Sequence, residues 1–354
     1  VLDGATYETI SEIEVGDNPA GACLDPSTGD IYVTNRNDNS ISVIDGSLKA
    51  VTDTITSVGG GPSSCVVSDN TNEIYVGLDT GGSVAVIDRS TLTLKTDIPT
   101  GSGPCTCGLD VVHGNLFVTN RNDNTVTIID VLNAQAETTV QVGDSPAGCS
   151  VNSSTHEVYI TNENSNTITI ISSADDAGEV IGDITLPSGD EGPDCTTGCP
   201  VDETSNSIYI SNKNNNTVSI INGGTKTVED SIDVGGQPGC VASDESGGVI
   251  YVCNSNDNTV SIVDDPSPGN PWNEPTPDPP AESRATGKNG AVVLTWDAPE
   301  GAPPSGYNIY RSEKQGGQWS PYEMIGETGP SGTSFEDDSA QNGSTYRYEV
   351  KAVN

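Results

Sequence analysis

Asp30-Ile-Tyr-Val-Thr-Asn35, followed by Arg36-Asn-Asp-Asn39 and Ser40-Ile-Ser-Val-Ile-Asp45, is the clearest β-hairpin pattern in the sequence. Apolar residues alternate with polar ones on both sides of a short Asn- and Asp-rich break, which is the pattern of two half-buried strands joined by a tight turn. The pair recurs. Glu73-Ile-Tyr-Val76, Asn115-Leu-Phe-Val-Thr-Asn120, Glu157-Val-Tyr-Ile-Thr-Asn162, Ser207-Ile-Tyr-Ile-Ser-Asn212 and Val249-Ile-Tyr-Val-Cys-Asn254 give one copy every 42 or 43 residues, with one step of 50.

Working outward, a strand opened by Pro and Gly precedes each hairpin, as in Pro19-Ala-Gly-Ala-Cys-Leu24, and a Thr- and Val-rich strand follows, as in Val51-Thr-Asp-Thr-Ile-Thr56. Four strands in about 42 residues is the arithmetic of a propeller blade. The fold class expected is therefore all-β. With 40 Gly, 22 Pro and one Met, Met324, the chain leaves no long window for an amphipathic helix.

These segments resemble the YVTN family of β-propeller repeats, whose tetrapeptide stands unaltered at Tyr32 to Asn35 and is nearly kept in four further copies. The likeness spans about residues 1–265. The second repeat departs from it, with Gly81-Gly82 where others have Asp-Asn, so a rebuilt hairpin is expected there. The resemblance implies a cell-surface or surface-layer protein, with lactonases and redox enzymes among proteins of similar fold. Six blades are expected if Thr9 to Val15 supplies the outermost strand of the sixth. Seven are expected in a parent protein if Val1-Leu-Asp-Gly4, which matches Val43-Ile-Asp-Gly46, ends a preceding blade. A start at Val1 without Met or a leader points to a processed or excerpted chain.

Residues 266–281 form a Pro-rich spacer, in which Trp272 is expected to dock the linker on a neighbour. Residues 282–354 resemble a fibronectin type III sandwich. Trp296 in Ala291-Val-Val-Leu-Thr-Trp296 is its expected core tryptophan, and Tyr346 matches the position whose hydroxyl bonds back to the backbone. A seventh strand is missing after Val350-Lys-Ala-Val-Asn354. Either the chain is clipped or another chain completes the sheet, which would leave an open edge for strand addition.

With 13 Lys plus Arg against 51 Asp plus Glu, the net charge of −38 excludes nucleic acid and anionic membranes as partners, and no apolar run is long enough to insert in a membrane. So acidic a surface fits a salty or calcium-containing exterior. Cys23, Cys65, Cys107, Cys149, Cys199 and Cys240 are placed at the same point of the six repeats, with Cys105, Cys195 and Cys253 as extras. All nine are disulfide candidates, and a soft-metal site in the channel is the alternative. The odd number leaves a thiol over, free or joined to another chain.

His113 and His156 read as solvated turn residues, and no nucleophile elbow or phosphate loop is present, so no catalytic residue is assigned. The turns Asn35–Asn39, Asn120–Asn124 and Asn254–Asn258 offer oxygens to calcium but lack the spacing of a dedicated loop, and local turn chemistry accounts for them. Asn152, Asn215 and Asn342 lie in glycosylation sequons. The function expected is a non-enzymatic, extracellular structural or adhesive protein of a surface layer, sheath or filament, a disulfide-bearing acidic glycoprotein. Its partners are copies of itself, other surface proteins or glycans. In a homopolymer the segment before Tyr7 would add to the open sandwich edge. The alternative is an enzyme or ligand binder at the propeller mouth, such as a metal-dependent lactonase-like hydrolase.

Overall fold

The computed structural model describes residues 1, 9–174, 177–187, 199–244, 248–264, 281–288, 290–297, 306–315, 318–319, 323–341 and 343–353. The spacer with Trp272, Cys195 and Asn342 lie outside them. Every regular element among the described residues is a strand, and no helix is long and apolar enough to cross a membrane. Two compact units divide the chain, Val1–Ser267 and Pro268–Asn354.

In the first unit the sheets repeat. The first runs Pro19–Leu24, Asp30–Asn35, Ser40–Asp45 and Ala50–Thr56, each strand antiparallel to the one before. Four more sheets of the same order begin at Pro62, Pro104, Pro146 and Val201. A sixth holds three strands, Pro238–Asp244, Val249–Asn254 and Thr259–Asp264. The turn between second and third strands closes on a left-handed Asn (Asn39, Asn124, Asn166, Asn216, Asn258), a conformation that Asn tolerates better than most residues. In the second repeat Gly82, at φ +61°, takes that place. The hairpin there is therefore the same turn made by glycine, not a rebuilt one.

Strand alternation sends successive side chains to opposite faces, and the faces interlock. Tyr32, Tyr75, Phe117, Tyr159 and Tyr209 point towards the following sheet and are at most 2% exposed. Five apolar clusters fill five successive interfaces, such as Tyr32, Ile41 and Val43 against Cys65, Ile74 and Val76. Rings that large each remove on the order of 150–250 Å² from water. Polar residues of the repeat add to the joints: Thr34 Oγ1 accepts the Gly21 N–H at 2.8 Å and lies 3.2 Å from the Ser63 carbonyl of the next sheet. Each repeat asparagine ties its own hairpin, as Asn120 does by donating from Nδ2 to Thr125 and Thr127 Oγ1 at 3.0 and 2.8 Å.

At the two ends of the series the faces are open. Tyr251 is half-buried and Cys253 exposed where earlier sheets bury their equivalents. Ile31 and Val33 of the first sheet are likewise half-buried, whereas Ile74 and Val76 of the second are fully buried. Among the described residues no apolar cluster joins the sixth sheet to the first. The segment Thr9 to Val15 does not fill the outer place of the sixth sheet. Ile10 and Ser11 instead donate backbone hydrogen bonds to the Val1 carbonyl, so the expected closure strand is absent from that position.

The second unit pairs two small sheets. Ala281–Lys288, Ala291–Asp297 and Ser334–Asp337 form one, and Gly306–Gln315 is flanked by Glu323–Thr328 and Tyr346–Val353 in the other, with Gln318–Trp319 at its end. Leu294 and Trp296 of the first meet Tyr307 and Ile309 of the second in a buried core. The Tyr346 hydroxyl accepts the Gln341 N–H at 3.1 Å. Strand Tyr346–Val353 pairs on one side only among the described residues.

Candidate functional site

After the first strand of the first, third and fourth repeats comes a side-chain-capped turn, in which an Asp or Asn oxygen accepts backbone N–H groups two and three residues on. Asp25, Asp110 and Asn152 do so, Asp110 Oδ1 accepting from Val112 at 2.9 Å and His113 at 3.2 Å. The turn ends on a residue with positive φ, which is Gly29, Asn72, Gly114, Asn206 or Gly248 in five repeats. In the fourth it is His156, at φ +57°. A side chain there carries a backbone cost of about 1 kcal/mol or more.

That histidine meets the third sheet. Asp110 is fully buried; His113 Nδ1 lies 2.8 Å and His156 Nδ1 3.9 Å from its Oδ2, and the two imidazole rings stand edge to face with centroids 4.6 Å apart. Ser173 Oγ donates to the same Oδ2 at 2.6 Å, and Ser173 N–H donates to the His156 carbonyl at 2.9 Å, which fixes the strained turn. His156 Nδ1 is buried without a hydrogen-bond partner. Burial pushes the Asp110 carboxyl up, but hydrogen bonds from Ser173, His113 and the turn backbone outweigh it and hold the group below the usual carboxylate range. The side chains of His113 and His156 are 26% and 34% exposed, so solvent reaches the imidazoles and not the carboxylate. Both histidines were expected as solvated turn residues; the fold brings them together on a buried carboxylate. Their sequence signal was His156 standing where the other repeats have Gly or Asn.

Of the nine cysteines, the described residues show one disulfide, Cys23–Cys65. The expected common position is off by one at two sites. Cys65, Cys107 and Cys149 pair in register with Val76, Val118 and Ile160 and face the preceding sheet. The residue that pairs with Val33 at that point of the first sheet is Ala22, so Cys23 is flipped to face the second sheet and meets Cys65. Cys107 and Cys149 face the same way round and remain thiols, Cys149 Sγ donating to the Phe117 carbonyl at 3.7 Å. Burial pushes the Cys107 thiol up to about 12 and Cys149 higher still. In the sixth sheet Cys240 precedes the matching position, held by Val241, and hydrogen-bonds with Cys253. Among the described residues no three thiols lie within ligating distance of one another.

The turn oxygens proposed for calcium are committed to backbone N–H groups: Asp38, Asp123 and Asp257 each accept one at 2.6 Å, from Asp17, Ser102 and Gly236. The sequons fare no better. Asn152 is fully buried, its Nδ2 donating to Asn206 Oδ1 at 2.8 Å, and Asn215 Nδ2 is buried as well, so neither can carry a glycan in this fold. One polar opening of about 250 Å³ spans the first three sheets, with Arg36 and Arg121 paired to Asp79 and Glu163 at its edge and Ser63 and Cys105 within it.

Comparison with known proteins fits this architecture. The NHL repeat matches residues 17–44. Hydrazine synthase of Kuenenia stuttgartiensis superposes with a TM-score of 0.66 at 17% identity, over 75% of this chain and 89% of that one. The WD40 β-propeller domain of Doa1 does so with a TM-score of 0.58 at 13% identity, over 71% and 80%. The chain is a β-propeller repeat protein. A stretch of 77 residues, 22% of the chain, is 44% identical to an amylopullulanase of Thermoanaerobacterium saccharolyticum and spans 6% of that enzyme's length. Similarity of fold to hydrazine synthase carries no chemistry with it, because unrelated functions share propellers.

Proposed function

We propose that this chain is an extracellular, non-enzymatic structural or adhesive unit of a surface layer, sheath or filament, built from a YVTN-type propeller and a fibronectin type III-like sandwich. The observation that carries the proposal is the unfinished sixth sheet. Its last strand, Thr259–Asp264, pairs on one side only among the described residues, where the five other sheets of that unit have a fourth strand after their third. A groove of about 500 Å³ runs beside it, lined by Cys253, Asn254, Thr259, Val260 and Ile262. Exposed strand edges template pairing with another chain. A second copy is the partner that a self-assembling surface protein supplies, and the exposed thiol of Cys253 lies on the same face to lock it. The one-sided strand Tyr346–Val353 offers a second edge of this kind.

The acidic exterior agrees with a salty medium outside the cell. A second reading, a ligand binder, is favoured by the opening at Arg36 and Arg121, where partly exposed guanidinium groups converge across three sheets. Electron microscopy of the protein in native salt separates the two. Regular filaments or sheets are expected, and V260K, which puts a charge on the exposed edge, is expected to abolish them while the subunit stays folded. A monodisperse particle in both proteins would overturn the polymer and leave the binder.

A further inference from the structure

We propose that Asp110, His113 and His156 form a binding site for a divalent transition metal of the zinc class, which ties the third repeat sheet to the fourth. The donor set is two imidazoles and one carboxylate, a combination that zinc takes with water in its fourth position. Magnesium and calcium would demand more oxygen ligands than these residues bring. The ligand atoms all lie within 4.8 Å of one another. Tetrahedral zinc with bonds of about 2.0–2.1 Å needs ligand atoms roughly 3.3–3.5 Å apart. The separations from Asp110 Oδ2 to the two Nδ1 atoms, 2.8 and 3.9 Å, bracket that spacing. A shift of about half an ångström in each imidazole makes room, with the metal replacing the hydrogen that joins His113 to Asp110.

Three independent features point to a ligand. His156 Nδ1 is buried, faces the carboxylate and has no hydrogen-bond partner, and a buried polar nitrogen left without a hydrogen bond is costly. The residue carries this cost at a backbone position that other repeats give to Gly or Asn. Asp110 also lacks the permanent cation that its counterpart has. The equally buried Asp25 lies 3.2 Å from Arg89 Nη1, whereas no Lys or Arg pairs with Asp110 among the described residues. A buried carboxylate needs a compensating charge. A divalent ion supplies it, and the Ser173 hydroxyl then fixes the ligating carboxylate as such outer partners do. Water reaches the ion from the exposed sides of the imidazoles.

The test uses chelator-treated protein titrated with Co²⁺, followed by its visible absorption, and with Zn²⁺, followed by calorimetry and thermal unfolding. The variants H113T and H156G restore residue types that other repeats carry at these positions, Thr28 and Gly29 in the first, so both are expected to fold. Wild-type protein should bind one equivalent, show a four-coordinate Co²⁺ spectrum without thiolate charge-transfer bands, and unfold at a higher temperature with zinc. Each variant should lose affinity by about 100-fold or more. Without metal, H156G should be at least as stable as wild type because the strained His is gone, so zinc should reverse the order of the two. Binding that survives in both variants, a thiolate spectrum, or no binding by the wild type would each overturn the proposal.

Discussion

Gly101→Ala separates the packing argument from ordinary glycine energetics. Gly101 does not have positive φ, so alanine is conformationally allowed and should by itself stabilise the fold by roughly 0.4–1 kcal/mol through the unfolded chain. The added Cβ, however, would lie 2.7 Å from Asn120 Cγ, 2.8 Å from its Nδ2 and 2.9 Å from its Cβ. Asn120 is fully buried and cannot swing away without breaking its bonds to Thr125 and Thr127. Two such bonds are worth about 1 kcal/mol each, and a stranded buried amide costs about 1–3 kcal/mol more. After the entropic gain, a net loss of about 2–4.5 kcal/mol is expected, read as a lower urea midpoint at unchanged slope. Gly239→Ala is the control, because nothing lies within 4 Å of its Cβ, and it should be neutral or slightly stabilising. Gly101→Ala as stable as wild type would refute the view that this glycine is held by the asparagine of its repeat.

Reduction of Cys23–Cys65, which closes a loop across a sequence separation of 42, should cost about 4 kcal/mol on the chain-entropy estimate, and C65S should lower the urea midpoint with no further effect of reductant. Asp25, Asp110 and Asp337 are held below the usual carboxylate range: burial raises each, and hydrogen bonds, with Arg89 for Asp25 and Arg311 for Asp337, outweigh it. Their contribution is therefore complete above the unfolded value of about 4 and lost as pH falls below it. Thermal unfolding temperature should be flat near neutrality and drop below about pH 4, less steeply in D337N; an equal drop in D337N would remove Asp337 from the account.

Much of this molecule is legible in its sequence because the repeat states its central hairpin six times. Asp30–Asn35 and Ser40–Asp45 alternate cleanly, and Pro19, Pro62, Pro104, Pro146 and Pro238 each open a first strand. What escaped were features that depend on which face a residue takes or on contacts between repeats. Cys23 and Cys65 look equivalent until register shows them one place apart, and one place in a strand is the difference between facing a partner and facing away. The histidine site is built from turns 43 residues apart that only the packing of two sheets brings together, so neither His carries a local motif. The Asn152 sequon misleads for the opposite reason: it fits a three-residue pattern, but its side chain is buried in capping a turn.

The capping position after the first strand shows how a repeat protein varies an interface without changing its fold. Between the first two sheets the buried Asp25 is neutralised by Arg89, which also reaches Asp69 at 2.5 Å. Between the fourth and fifth the charge is removed altogether: Asn152 caps the turn and donates to Asn206, the left-handed residue of the next repeat. Between the third and fourth the carboxylate is retained and imidazoles stand in place of the guanidinium. Backbone geometry is the same in all three, since each cap accepts the same turn N–H groups. The choice at this position therefore bears on the charge of the joint and not on its shape. A permanent cation or an amide completes the joint from within the chain, whereas two imidazoles on a buried carboxylate leave the third-to-fourth joint open to an ion from the medium.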